Sequence, residues 1–319
     1  MKLVVVGFGQ CGGRIADEFA RLNKRARRYR GIEIVLDAFA VNTDSADLAD
    51  LETIKAEYQH RILIGAGRTH GHGVAKISEV GAEIAKEDTD KVIDAMRTTK
   101  QFFEADAFLL VTGTAGGTGS GATPVMVKVL KKRFDKPVYV LAALPFEHEK
   151  KTEERALYNT AVFLKSAYSV ADAVILFDNQ RYVRKDFSLK NNFTKINSLM
   201  VEPFYNLLCA GEENKAKHIG AKTLDAGDIV NTLAGWTAIG YGKSLLPLKT
   251  LLFRWTDDFA QKGDQTHLGL QAMDEAISEL SIGCRPEDAC RALYLVSAAA
   301  RAMNVGLIKE LGEHLKNVV

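Results

Sequence analysis

The sequence predicts an α/β fold: a Rossmann-like parallel sheet, one long helix after it, and a smaller α+β unit beyond. Three observations carry this reading. Short apolar runs recur, each usually followed by a helix-length amphipathic stretch, which is the alternation of βαβ units whose strands are buried on both faces. Two glycine-rich loops each join such a run to a helix-length stretch. Past them, a long amphipathic segment leads into a region where the alternation weakens.

The first run, Leu3 to Val6, is followed by Gly7-Phe8-Gly9-Gln10-Cys11-Gly12, a G-x-G-x-x-G pattern between strand and helix. Glycines there let the backbone approach a diphosphate, and the N–H groups of the helix start supply positive partial charge. The same glycines also suit a plain strand-to-helix turn. The second run, Ile32 to Val41, leaves Asp37 and Asp44 near the spacing of about 20 residues at which a dinucleotide site keeps an acid. Arg61 to Ile64 and Ala107 to Thr112 are the next strands, and the latter enters Thr112-Gly113-Thr114-Ala115-Gly116-Gly117-Thr118-Gly119-Ser120-Gly121 and a helix from Pro124 to Phe134. Val138 to Ala142 and Ala173 to Phe177 complete the set.

From Leu189 to about Glu212, apolar residues at Phe193, Ile196, Leu199, Met200, Phe204, Leu207 and Leu208 recur at helical spacing. One long helix is expected, kinked at Pro203. After Gly220, Trp236 to Tyr241 and Ala292 to Ser297 read as strands, while Gln271 to Leu280 and Val305 to Val319 read as helices.

The 319 residues are 47% hydrophobic and 26% charged, which excludes disordered and collagen-like classes. Lys plus Arg number 42 against 40 Asp plus Glu, a formal charge of +2. No global field is available to hold a nucleic acid by counterion release, so any anion site must be local. The basic run Arg21 to Arg30 reads as the solvated end of the first helix rather than a patch for nucleic acid or membrane. Cys11, Cys209, Cys284 and Cys290 form no C-x-x-C pair, which fits neither a zinc site nor a disulfide scaffold and points to a reducing cytosol. The apolar start is too short for a signal peptide, and no run reaches the roughly 18 residues that span a bilayer. A soluble, cytoplasmic protein without integral membrane association is expected. His70 and His72 lack the further ligands of a metal site, and Cys11, at a helix start where the dipole lowers a thiol pKa, reads as a packing residue of the first loop.

A nicotinamide-dependent oxidoreductase accounts for the first glycine loop alone; a second, denser loop suggests a nucleoside triphosphate. Its N–H groups are unscreened by side chains, and the hydroxyls of Thr114, Thr118 and Ser120 add donors. No G-x-x-x-x-G-K-S/T motif occurs, since Thr237 stands where Gly242-Lys243-Ser244 would need its first glycine. The segment Ala115-Gly116-Gly117-Thr118-Gly119-Ser120-Gly121 resembles the GGGTG(S/T)G motif of the tubulin and FtsZ superfamily of GTPases, with Ala115 at the first glycine. Gly9-Gln10-Cys11-Gly12 is similar to the tubulin form of that family's opening phosphate loop, and Ala40-Val41-Asn42-Thr43-Asp44 to the FtsZ form of its second. Such a mixture resembles the archaeal CetZ group. Ordered matches continue at Asp178-Asn179, Asn197 and Leu224-Asp225-Ala226-Gly227-Asp228.

The resemblance implies a GTP-binding domain over residues 1–188, a central helix and connection over 189–219, and an activation domain over 220–319. It implies GTP or GDP with Mg²⁺ as cofactors. Gly9, Gln10, Cys11, Gly12, Ala115, Gly116, Gly117, Thr118, Gly119, Ser120 and Gly121 would wrap the phosphates. Asn42 and Asp44 would lie beside the nucleotide, and Gly65, Ala66 and Gly67 would sense the γ-phosphate. Asn179 and Asn197 would read guanine, because an amide offers donor and acceptor to the base edge; their plainer roles are a strand-end turn residue and a solvated helix position. Glu149, ahead of Glu147, would lie near the ribose, with the family's accompanying Arg displaced to Arg155.

Asp225 and Asp228 would be the catalytic pair, inserted into the nucleotide pocket of the next subunit to polarise a water for in-line attack. As residues alone they equally suit a helix N-cap. Thr223 stands where FtsZ usually has Asn, which implies a lower rate. The implied partner is the protein itself, head to tail, in a cytoskeletal polymer serving cell shape, motility or division. A GTP-holding switch that docks partners without polymerising is the second expectation.

Overall fold

The computed structural model describes residues 1–183, 189–212, 224–245, 258–299, 303 and 305–319. Its strands and helices alternate as β1 Leu3–Phe8, α1 Gly9–Arg30, β2 Val35–Asn42, α2 Ser45–Ala49, β3 Arg61–Leu63, α3 Ala66–Thr69, α4 Ser78–Glu87 and α5 Thr89–Arg97. There follow β4 Ala107–Gly113, α6 Gly117–Arg133, β5 Val138–Leu144, α7 Glu147–Thr152, α8 Glu154–Val170, β6 Ala173–Asp178 and α9 Asn179–Val183. The long helix α10 Leu189–Leu208, then α11 Ala226–Thr232 and β7 Gly235–Thr237, come next.

The strands form one seven-stranded sheet in the order β3-β2-β1-β4-β5-β6-β7, parallel throughout. The inner strands β1, β4, β5 and β6 are apolar and buried on both faces, and the two-residue period divides β1 between two cores. Leu3 and Val5 join the layer made with α1 and α10, whereas Val4, Val6 and Phe8 join the layer made with α4, α5, α6 and α8. Chain order reverses direction between β1 and β4, which are direct neighbours in the sheet. Their following loops therefore open into one crevice at the carboxyl ends of the strands, where such sheets bind ligands.

Helix α1 buries Ile15, Phe19, Leu22 and Ala26, a spacing that keeps one stripe on the sheet. Gly31 ends it in the left-handed conformation, φ 72°, where a Cβ would be strained. The basic run belongs to this end: Arg27, Arg28 and Arg30 lie in the last turn, where positive charge suits the dipole. Arg21 is paired with Glu18 at 2.6 Å and Arg27 with Glu33 at 3.0 Å. Helix α10 lays Ile196, Met200, Phe204 and Leu208 against this layer at four-residue spacing, with Phe204 edge-on to Phe19 at 6.4 Å. Pro203 is carried inside the helix, which ends at Leu208 rather than near Glu212.

Past α10 the sequence reading needs correction. Trp236 to Tyr241 contributes only β7, and β7 extends the large sheet beside β6 instead of starting another. Ala292 to Ser297 forms no strand. Its β-forming side chains have no partner ladder among the described residues, and a strand is stable only when paired. Tyr294 instead donates its hydroxyl to the Ile308 carbonyl at 3.0 Å. Helices Asp258–Ser278 and Val305–Val318 pack through Met273, Leu307 and Leu311, so the described part of this region is mainly helical.

Candidate functional site

The crevice is built from two helix starts. Helix α1 begins at Gly9 and α6 at Gly117; neither has a side-chain cap, and neither has an acid in its first turn. Uncapped first-turn N–H groups and two dipoles converging on one place constitute an anion site. The starts are close: a Cβ on Gly9, whose φ is 70°, would stand 3.1 Å from the Gly119 nitrogen.

Glycines of the two loops divide into two kinds. A Cβ on Gly12 would stand 2.2 Å from the Val111 carbonyl oxygen, and one on Gly121 2.0 Å from the Ser78 carbonyl oxygen. These glycines let the helix starts press onto β4 and α4. At Gly116 a Cβ would meet nothing within 4 Å, although the backbone is ordinary there, φ −73°. Gly116 thus faces open space at the start of α6, and this open, N–H-lined cradle fits a phosphate chain.

The loop hydroxyls do something other than the sequence suggests. Thr114 bonds the Ala143 carbonyl and the Thr160 hydroxyl, Thr118 shares a 2.7 Å bond with Thr43, and Ser120 donates back to the Gly116 carbonyl. All three brace the loop. The backbone, including that of Ala115, Gly117 and Gly119, is what remains to face a ligand.

Asn42 is buried; its amide accepts from the Thr43 N–H at 2.8 Å and donates to Asp47 at 2.9 Å. Asp47 also accepts from Gln10 at 2.6 Å, so it ties the first loop to the end of β2. Sequence reading missed Asp47, whose only signal is its place in the first turn of α2. Asp44 caps that helix, accepting from the Ala46 and Asp47 N–H groups at 2.9 and 3.2 Å.

Gly65, at φ 66°, starts the short α3 that contains Ala66 and Gly67, and its N–H donates to Asp88 at 2.6 Å. Arg68 points away toward α4, each of its ion pairs with Glu83 and Glu87 being 3.0 Å long. Among the described residues no group of three or more His, Cys, Asp or Glu is arranged to hold a metal ion.

Glu149 accepts from the Phe146 N–H at 2.7 Å and lies close enough to act on Cys11. Burial pushes the Cys11 thiol up to about 12, with the Glu149 charge adding to the rise. That reverses the lowering a helix start alone would give. Glu147 instead places its N–H on Gln180 at 3.2 Å. Arg155 is committed to Glu79 at 3.0 Å. Asn179 is the buried first residue of α9, directly after β6, and Asn197 is half-buried on α10.

Asp225 and Asp228 form a reciprocal cap at the start of α11. The Asp228 N–H donates to Asp225 at 2.8 Å and the Asp225 N–H to Asp228 at 3.3 Å, with both side chains exposed. Their position matters more than their bonding. Gly211 packs so closely on this segment that its Cβ would stand 2.4 Å from the Leu224 carbonyl oxygen. The neighbouring Glu212 and the end of α10 hold the Met1 ammonium, at 3.0 and 2.9 Å. Met1 immediately precedes β1, so the two acids lie at the amino ends of the strands. The glycine loops lie at the carboxyl ends, about 20 Å away along a six-residue strand. Thr223 lies outside the described residues.

Among the described residues no helix is long and apolar enough to cross a membrane. The tubulin/FtsZ family GTPase domain matches residues 2–185, and the C-terminal domain of tubulin-like CetZ proteins matches residues 186–314. The chain is 35% identical over 319 residues to the tubulin-like protein CetZ1 of Haloferax volcanii, covering 95% of this chain and 78% of that protein. The GDP-bound monomer of H. volcanii CetZ1 superposes with a TM-score of 0.81 at 31% identity, covering 100% of this chain and 86% of the other. CetZ2 of the same organism, in a GTPγS-bound protofilament, gives 0.79 at 26% identity, covering 100% and 85%. With both domains and nearly the whole length matched, the chain belongs to the tubulin/FtsZ family of GTPases, among the tubulin-like CetZ proteins.

Proposed function

We propose that this GTPase assembles head to tail and hydrolyses GTP at the interface between successive subunits. The observation that carries the reading is the separation of its two chemistries. The phosphate cradle lies at the carboxyl ends of the strands and the two exposed acids at the amino ends, so Asp225 and Asp228 cannot reach a nucleotide held by their own chain. Stacking copies along the strand axis brings the acids of one subunit over the cradle of the next, a heterologous contact that does not close and so propagates as a filament. The relative CetZ2, seen as a GTPγS-bound protofilament, supports this reading.

In this mechanism the N–H groups of the two helix starts hold the phosphates and offset the charge that develops during transfer. Asn42, Asp47 and Gln10 fix the first loop, Asn179 and Asn197 read the base, and Glu149 stands near the ribose. Gly65, Ala66 and Gly67 meet the γ-phosphate. The incoming Asp225 and Asp228 orient a water for in-line attack, using carboxylate oxygens that in the free subunit only cap α11. Mg²⁺, when bound with the nucleotide, supplies further charge neutralisation on the phosphates. Residues 1–188 bind GTP, 189–219 connect, and 220–319 deliver the acids. The cellular role we infer is a cytoplasmic filament acting in cell shape, motility or division.

GTP turnover per subunit measured over a dilution series, together with light scattering, tests this reading. A shared onset of turnover and scattering at one protein concentration is expected. Equal turnover per subunit at every dilution overturns it, and GTP binding with neither turnover nor scattering favours a non-polymerising switch.

A further inference from the structure

Asn159, on α8, belongs to no feature described so far, yet it is wholly buried beside the cradle. Its amide nitrogen donates to the Ala115 carbonyl at 2.9 Å and to the Lys76 carbonyl at 2.9 Å. One donor hydrogen therefore goes to the glycine loop and one to the turn that closes the 65–77 segment. That turn is held under strain: Ala75 and Lys76 both have left-handed backbones, φ 47° and 60°, which non-glycine residues keep only where their surroundings impose them. The two segments also touch directly, since a Cβ on Gly117 would stand 2.7 Å from the Ile77 nitrogen.

The other half of the amide is unusual. The Asn159 Oδ1 atom is buried and has no hydrogen-bond partner among the described residues. An unpaired buried acceptor is costly and calls for an explanation. It supplies an acceptor for a loop N–H if the 113–121 segment rearranges around a phosphate chain.

We propose that Asn159 is a positioning residue that couples the glycine loop to the Lys76 turn and thereby sets the preference of the site for GTP over GDP. The inference rests on the nucleotide site proposed above, in which the 65–67 loop meets the γ-phosphate. Occupation of the cradle by three phosphates rather than two is felt at Gly116, passes through the Asn159 amide, and fixes the turn that ends the γ-phosphate loop. Without the amide the two segments settle independently, and the third phosphate no longer gains from ordering both.

The test is competition binding of GTP and GDP to the full chain below its assembly concentration, with thermal unfolding of the nucleotide-free protein measured in parallel. For Asn159→Ala, GTP affinity is expected to fall about tenfold while GDP affinity changes less than about twofold, the scale of one hydrogen-bond contribution. Asn159→Ser, whose single hydroxyl serves one carbonyl, falls between this variant and wild type and carries the comparison if the alanine variant does not fold. Glu153→Gln, which breaks the ion pair of Glu153 with the Lys76 ammonium but leaves the amide in place, keeps the wild-type ratio. A merely structural Asn159 would lower both affinities by the same factor, or lower only the unfolding temperature, and either result overturns the proposal. Wild-type protein that binds no GTP overturns the nucleotide site itself; wild-type binding with an unchanged ratio in Asn159→Ala and Asn159→Ser overturns the coupling alone.

Discussion

The two ends of the sheet differ in how much of their chemistry one chain assembles. At the carboxyl ends of the strands, two helix starts, the buried Asn42, the Asp47 bridge and the braced hydroxyls already form a closed framework around an open cradle. At the amino ends, the side chains of Asp225 and Asp228 are exposed and, among the described residues, bond only each other's backbone. One end is built before a ligand arrives, and the other leaves two carboxylates exposed, the arrangement that the proposed catalysis between subunits requires. A binding site profits from preorganisation within the subunit; a catalytic group that acts only after assembly must instead stay accessible.

The comparison breaks most visibly at the packed glycines. Gly12→Ala forces a Cβ to within 2.2 Å of the Val111 carbonyl, and a loss of about 3 kcal/mol or more in urea unfolding is expected. At the other end, Asp225→Asn separates the two roles of that residue. Asparagine caps a helix as well as aspartate, so stability should stay within about 0.5 kcal/mol of wild type. Turnover per assembled subunit should nevertheless drop on the order of a hundredfold, as read by phosphate release. Equal turnover would reduce Asp225 to a cap.

Gly116→Ala sharpens the contrast within the cradle. Its methyl meets no atom of the protein and its backbone suits any residue, so unfolding should barely change. GTP affinity should fall about tenfold, because the methyl occupies space left for the ligand.

The smallest effect is on alkaline stability. The Cys11 thiol, pushed up to about 12 from 9.0 by burial first and Glu149 second, stays protonated in the fold after it would ionise in the unfolded chain. Its contribution is complete below pH 9 and is lost as pH rises toward 12. Cys11→Ala should flatten, without abolishing, the decline in unfolding free energy over that range, since Tyr139 is likewise pushed up to about 12.

What was legible in the sequence follows the same division. Local patterns, read from neighbouring residues, place all six strands up to Phe177 and both glycine-rich strand-to-helix junctions, but α6 starts at Gly117, inside the second glycine run, and carries Pro124 within it rather than starting there. Roles that depend on distant contacts were not legible. The hydroxyls of Thr114, Thr118 and Ser120 read as ligand donors in the sequence, whereas in the fold Thr160, Thr43 and Gly116 occupy them. Asp47 and Asn159 carry no motif, and their partners lie 37 and 44 residues away at Gln10 and Ala115. Ala292 to Ser297 has strand composition but no ladder among the described residues, which composition alone cannot reveal.

The central claim, that the acids of one subunit serve the nucleotide of the next, is tested most directly by mixing two inactive proteins. Asp225→Ala keeps the cradle and loses the acid; Gly116→Asp keeps the acid and sets a carboxylate in the open space of its own cradle. Each alone should form no productive interface. In an equimolar mixture about a quarter of head-to-tail contacts join an intact cradle to an intact acid, so GTP turnover should recover to roughly that fraction of the wild-type rate. A mixture no more active than its separate components would contradict catalysis between subunits.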